Sequence, residues 1–321
     1  MATALVQTQA LFGQNYLKMA YLLNAKKIVR LDDILGFKRD STTQVTETYK
    51  QFAGLSAAGQ TAPGESARFD VYSGIFTKQV TPLTYTKGMA VSALAEFTDQ
   101  LNILKGRQKD VADSFAARRS IVAADFLLNN AFTVTTDYVN SETLYAKNHS
   151  MASGGGAPYY ANRPLAAGSV PGSSATTEEW TFGPVNLERA VAALRTTKTA
   201  RNLPMMISID GKVDLFGPEQ LKMQFNRAVR ATQLAGTNNN DPNVVSDAIG
   251  TVITSPFFTS EPAWGIKSSD SSQHGLVWLD QMPLTYLDLG NQANMSRAFV
   301  ATESYVCFAI DAHGVWATAG A

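Results

Sequence analysis

The stretch Leu104–Phe132, LKGRQKDVADSFAARRSIVAADFLLNNAF, constrains this chain more than any other. It contains no proline, and its one glycine, Gly106, lies near the start. Leu104, Val111, Phe115, Val122 and Phe126 step by seven, four, seven and four residues. At ~100° per residue they fall in a stripe roughly 60° wide. Ala112, Ala116, Ala123 and Ala124 favour helix and let neighbours approach closely. Asn129 and Asn130 fit a helix C-terminus. The spacing predicts a helix over 104–132, about 40 Å long, well above the usual three turns. Ile121 and Leu128 form a second apolar face, so the helix is expected to be covered on more than one side. It is either the core helix of an ordinary domain or a scaffold to which separate lobes attach.

The totals leave both options open. A chain of 321 residues holds one large domain or two smaller ones, and 45% apolar content supplies a real core. The 27 basic and 27 acidic residues cancel. That argues against a dedicated nucleic-acid binder, which carries a basic excess, but suits a protein that encloses nucleic acid without gripping it. Cys307 is the only cysteine, so no intrachain disulfide forms; its setting, SYVCFAI, reads as a buried strand. No run of 18 apolar residues marks a membrane span. The start, MATALVQTQALFGQ, lacks the basic and apolar parts of a secretory signal.

Residues 1–37 are amphipathic, with Leu11, Tyr16, Met19, Ala20 and Leu23 at helical spacing and Lys26, Lys27 and Arg30 behind them. TQVTETYK reads as a strand with Val45 and Tyr49 on one face, interrupted by Glu47 on that same face. Asp70–Val91 is a second β-rich run, carrying Phe76, Lys78 and Val80. The small-residue link AGLSAAGQTAPGESARF between them predicts a long hairpin. Two strands alone are marginal in water, so this hairpin requires a partner surface, on its own domain or on another copy.

Ser92 fits the cap of a short helix through Phe97. After the long helix comes FTVTTDYVNSETLYAKNHS, then a Gly/Ser/Pro-rich link. From Asn186 the pattern becomes α/β. Asn186 is read as the cap of a helix using Leu187, Ala190, Val191 and Leu194, LPMMISI as a buried strand, and Pro218 as the first turn of a helix using Leu221, Phe225, Ala228 and Val229. IGTVITSPFF, GLVWLD and PLTYLDL read as strands, the last two split by Met282-Pro283. The end reads strand, tight turn, strand, with Gly314 where positive φ is needed.

Catalytic signals are weak. His149, His274 and His313 are spread over three regions with no H-x-x-x-H spacing. There is no G-x-S-x-G elbow and no phosphate-cradling G-x-x-x-x-G-K-[ST], and the acidic residues mark out no pair for acid–base work. No catalytic residue, metal or cofactor is assigned.

Taken in order, the chain resembles the major capsid proteins of tailed bacteriophages, in particular the Mu-type head subunit, whose fold is shared with encapsulin shells and the herpesvirus capsid floor. The resemblance rests on YTKGMAVSALAEFTDQ running into ARRSIVAADFLLNNAF, then LYAKNHS, NLERAVAALRTTKTARNLPMMISID, GTNNNDPNVVSDAIGTVITSP and the ending AIDAHGVWATAG. It spans roughly 40–318 and lies in the order of elements rather than in one strict motif. It implies an α+β fold: an N-terminal arm (1–39), an extended β-hairpin loop (40–91), a peripheral domain (92–183) with the spine helix 104–132, an axial α/β domain (184–275), and a return to the peripheral strands (276–321).

The function it implies is a non-enzymatic virion protein that self-assembles, as hexamers and pentamers, into an icosahedral shell around double-stranded DNA. Assembly would take place in the host cytoplasm. The implied partners are a scaffolding protein, a portal and a decoration protein, with no membrane. Val45, Tyr49, Phe76, Lys78 and Val80 are the expected intersubunit contacts. Some members of that family join an extended-loop lysine to a neighbour's asparagine, and Lys78 lies in the second arm of the hairpin. Lys105, Lys109 and Arg119 share a helix face within about 80° and are the genome-facing candidates; a solvated face or a bridge to a neighbour would use the same residues. The alternatives are an encapsulin-like compartment with a protein cargo and a soluble α/β enzyme.

Overall fold

Two four-stranded sheets, each covered by helix, organise the described residues. The computed structural model describes residues 30–52, 74–92, 103–135, 142–151, 159–172, 174–199, 203–205, 207, 211–231, 243, 245–288 and 296–320. The elements begin with α1 (Leu31–Ile34), β1 (Lys38–Ser41), β2 (Glu47–Phe52), β3 (Gly74–Val80), β4 (Leu83–Ser92) and α2 (Ile103–Ala124), which passes into a π-helical turn (Asp125–Asn129). Next come β5 (His149–Ser150), β6 (Tyr159–Tyr160), α3 (Pro184–Arg195), β7 (Val213–Pro218), α4 (Lys222–Arg230) and α5 (Val245–Ala248). The chain closes with β8 (Ile249–Ser255), β9 (Trp264–Ser268), β10 (Leu276–Asp288), β11 (Ser296–Ala309) and β12 (Val315–Thr318).

The first sheet has the order β1-β10-β11-β4, antiparallel except for the β1–β10 pair. Helix α2 lies on one of its faces. Ala112 and Phe115 pack with Ala301, Tyr85, Leu284 and Tyr286, and further along Phe126, Leu127 and Leu128 enter the main core with Phe37, Trp278 and Tyr305. Burial of each large apolar side chain there contributes roughly 2 kcal/mol. The predicted helix is therefore present and covered on more than one side. Phe115 and Phe126 of the expected stripe are buried, and Val111 and Val122 are half-buried; the Leu104 side chain lies outside the described residues. The helix stops at Asn130, whose N–H donates to Asp125 O at 2.9 Å, short of the predicted 132. Asn129 fastens this end. Its Nδ2 donates to Asp125 Oδ1 and to Phe257 O, each at 2.9 Å, and its Oδ1 accepts from Thr259 N–H at 2.8 Å.

The second sheet has the order β12-β9-β7-β8, with β7 and β8 parallel. Its core joins Leu187, Ala190, Val191 and Leu194 of α3 to Phe225 and Ala228 of α4 and to Trp264 and Trp316. All four apolar residues predicted for α3 are buried here; of the four predicted for the second helix, Phe225 and Ala228 are buried, while Val229 and Leu221, the latter in the 3-10 turn before α4, are half-buried against the same core. The N-cap is Gly183, with Pro184 opening the helix; Asn186 lies inside the first turn, where its Nδ2 donates to Thr181 O at 2.9 Å.

Several strand assignments differ from the sequence reading. The run 70–91 is not one hairpin arm. Only β3 pairs with β2, whereas β4 crosses to the first sheet and pairs with β11 from Leu83↔Tyr305 to Ser92↔Ser296. The tract 203–209 is not a strand among its described residues, although Ile207 is buried. The strand lies later, at β7, where Pro218 is the last strand residue rather than a helix start. Pro283 does not split a strand: β10 continues through register shifts between Asp280 and Thr285, which absorb the missing N–H. The closing segment is not a hairpin, because β11 belongs to the first sheet and β12 pairs with β9 in the second. Residues 276–321 thus do not return to one sheet. Gly314 has φ 78°, as the turn requires, and Cys307 is buried. The readings made for residues 1–29 and for the Ser92-capped helix lie outside the described residues.

Candidate functional site

The hairpin β2–β3 is a two-stranded sheet, paired with nothing else along its length among the described residues. It is fixed at its base. Tyr49 packs its ring on Phe308 at 4.7 Å between centroids and donates its hydroxyl to Asp40 Oδ2 at 2.8 Å. Burial, followed by the Asp40 carboxylate, pushes the Tyr49 phenol well above its usual range. Val80 is buried with Val277, Leu279 and Phe308. Around them Thr42 Oγ1 donates to Glu47 Oε2 at 2.7 Å, Thr46 and Thr81 share a hydroxyl contact at 3.1 Å, and Gln281 Nε2 donates to Gln44 O at 2.8 Å.

The five expected contact residues therefore divide. Tyr49 and Val80 anchor the hairpin to the first sheet; Val80 is buried there and so is not open to a neighbour, whereas Tyr49 is half-buried. Phe76 and Lys78 are half-buried, with Lys78 opposite Tyr49 in register. Val45, in the bend before β2 rather than in a strand, is 75% exposed.

The genome-facing set is corrected more sharply. Arg119 is 5% exposed. Its Nε donates to Glu303 Oε2 at 2.9 Å, its Nη2 to Asp280 Oδ1 at 3.0 Å, and Asp32 Oδ2 lies 3.6 Å from Nη1. The guanidinium lies 4.6 Å from the Tyr305 ring centroid and 5.6 Å from that of Trp278. Burial opposes its charge, but Glu303 and Asp280 outweigh it and hold the guanidinium above its usual value; burial pulls the Glu303 carboxyl up despite Arg119. The helical spacing that grouped Arg119 with Lys105 and Lys109 gave no sign that Glu303 waits opposite it. The Lys105 and Lys109 side chains lie outside the described residues.

This network also docks the N-terminal side of the chain. Asp32 on α1 is fully buried and meets Arg39 Nη2 at 2.7 Å. The Leu31 N–H donates to Ser120 Oγ at 3.2 Å, and that hydroxyl donates to Ala116 O at 2.9 Å. Helix α2, both long strands and the N-terminal turn are thereby joined through one set of charges.

A cavity of about 410 Å³ opens between Tyr160, Arg163, Trp180, Thr197 and Trp316. Three of its polar residues are engaged internally: Arg163 pairs with Glu179, and the Thr196 and Thr197 hydroxyls donate to Ala192 O and Ala193 O at 2.9 and 3.2 Å. Among the described residues no three His, Cys, Asp or Glu side chains gather to hold a metal ion.

No family model and no curated protein matches the sequence. Solved structures do match its shape. The capsid of Ralstonia phage GP4 aligns over 89% of this chain and 87% of its own, with a TM-score of 0.56 at 11% identity. Microbacterium phage Oxtober96 aligns over 91% of both chains with a TM-score of 0.53 at 9% identity. The capsid of cyanophage P-SCSP1u aligns over 88% of this chain and 85% of its own, with a TM-score of 0.51 at 10% identity. This is the α+β fold of phage capsid subunits. At such identities the likeness is one of fold, and it extends over nearly the whole chain.

Proposed function

We propose that the chain is a shell-forming capsid subunit without enzymatic activity, the major head protein of a tailed phage. In this reading it assembles as hexamers and pentamers into an icosahedral virion shell that encloses double-stranded DNA. The shared fold over nearly the whole chain, and not one domain of it, carries the reading. The hairpin adds physical support. A two-stranded ribbon, with no third strand beside it among the described residues, gains stability by lying on a neighbouring copy, and head-to-tail contacts of that kind close into rings.

A net charge of zero fits a container whose contents must remain releasable, since strong phosphate binding needs a basic surface. Assembly in the host cytoplasm, with a scaffolding protein, a portal and a decoration protein, completes the proposal. Particles purified from the native host and treated with nuclease test it. Protected double-stranded DNA inside a virus-sized shell is the expected result. A small shell holding protein cargo would favour an encapsulin-like compartment instead, and a small soluble oligomer would favour an enzyme.

A further inference from the structure

The chain has three histidines, and the fold brings all of them to one region. Two short segments link the sheets at the C-terminal side. Residues 269–275 lead from β9 in the second sheet to β10 in the first, and residues 310–314 lead from β11 back to β12. These linkers lie side by side. Ile310 N–H donates to Gly275 O and Ser268 N–H to Gly314 O, both at 2.8 Å. The contact is backbone on backbone: a Cβ on Gly275 would lie 2.4 Å from Asp311 N, and one on Gly314 would lie 2.2 Å from Gln273 O and 3.1 Å from His274 Cα. His274 sits in the first linker and His313 in the second, 5% and 6% exposed.

Chargeable groups surround both linkers. His313 Nδ1 bonds Asp311 Oδ1, which also accepts the His313 N–H at 3.1 Å. The His313 ring stacks on Tyr160 of β6 at 4.1 Å, and Tyr160 stacks in turn on His149 of β5 at 4.8 Å. His149 Nδ1 meets Glu142 Oε2 at 2.9 Å. Its Nε2 lies 3.0 Å from Asn162 Oδ1, and Asn162 Nδ2 donates to Ala312 O at 3.4 Å. Lys267 of β9, just before the first linker, is 1% exposed and donates to Asp214 Oδ2 of β7 at 2.7 Å. Asp270, in the first linker, accepts from Ser272 N–H at 2.8 Å. The first linker is thus closed by backbone contacts around a buried imidazole, and the strand that leads into it carries a buried ammonium.

We propose that the paired linkers form a proton-responsive joint, in which charging the buried His274 imidazole loosens residues 269–275 from residues 310–314 and frees the two sheets to shift against each other. Burial first, and then Lys267, holds the His274 imidazole down to about 4, against opposing pulls from the Gly36 backbone, Asp214 and Asp270. When the linker opens, the ring regains water and its ordinary affinity for protons, so acid favours the open form. His313 and His149 stand in a different setting, each with Nδ1 against a carboxylate, Asp311 and Glu142.

The test is hydrogen exchange on the full chain between pH 7 and pH 4, corrected for the intrinsic pH dependence of exchange. With the His274 imidazole held at about 4 in the closed joint, the opening equilibrium of the two linkers rises on the order of 100-fold across that range. Helix α3 should keep its protection, and His274→Phe should remove most of the rise. The proposal is overturned if the linkers stay protected at pH 4, if they open only together with α3, or if His274→Phe opens with the same pH profile. Should that variant not fold, histidine NMR of the unmodified chain decides. A His274 resonance that titrates together with linker opening supports the joint, and one that titrates without it overturns it.

Discussion

Arg119 on the long helix donates from Nε to Glu303 Oε2 on β11 at 2.9 Å, with the two side chains 6% and 2% exposed. The pair joins residues 184 positions apart and holds the helix to the sheet at the point where Asp32 and Asp280 also converge. Removing Arg119 takes from the buried Glu303 carboxylate the cation that it bonds. Arg119→Ala should therefore lower stability by about 3–5 kcal/mol, read as the midpoint shift in chemical denaturation. The double variant Arg119→Met with Glu303→Leu should recover most of the loss, because it removes both charges. A single variant within about 1 kcal/mol of the parent would contradict this account of the network.

The hairpin separates folding from assembly. Tyr49→Ala loses the contact with Phe308 and the hydroxyl bond to Asp40 and should cost about 1–3 kcal/mol. Val45 is 75% exposed, so Val45→Glu should change subunit stability by less than about 0.5 kcal/mol while reducing particle yield on a density gradient. If Val45→Glu assembles as well as the parent, Val45 is not a contact between copies.

Gly314 tests the join between the sheets. Its φ is 78°, and a Cβ at this position would come within 2.2 Å of Gln273 O, which leaves no room for a side chain. Gly314→Ala should destabilise by at least about 1–3 kcal/mol, visible as a lower melting temperature. An unchanged melting temperature would show that the turn relaxes freely.

The pH dependence of global stability has a definite sign. His274 has a depressed affinity for protons in the fold, about 4 against 6.5 for the free group. Between those values the unfolded chain binds more protons, so stability falls as pH falls through the window, by about 3 kcal/mol in all. Below pH 4 this contribution is exhausted. The Asp311 carboxyl, held down by His313 against burial, then loses its contribution as it protonates. Denaturation midpoints at pH 7, 6, 5 and 4 should show the loss in the parent and a flatter profile in His274→Phe. Parallel profiles would remove His274 as the cause.

The long helix, both amphipathic helices of the second lobe and the positive φ at Gly314 were legible in the sequence because each rests on local spacing or local sterics. What was not legible depends on partners far along the chain. Nothing near Thr84 says that its strand leaves the hairpin for β11, and nothing near Val315 says that β12 joins β9 rather than β11. Pro283 looks like a break until the bulge beside it is seen. Arg119 has the local signature of a solvated helix face, and only Glu303 and Asp280 in space make it a core residue. The histidines likewise have no motif, since their meeting point is set by two linkers that touch only in the fold.

Negative-stain electron microscopy of the expressed chain, with its scaffolding protein where assembly requires one, tests the central claim most directly. The account predicts closed shells, or tubes and sheets of repeating rings, with a diameter that matches a phage head. A clean monomer or dimer under scaffolded and crowded conditions would contradict it and leave the capsid likeness as one of fold alone.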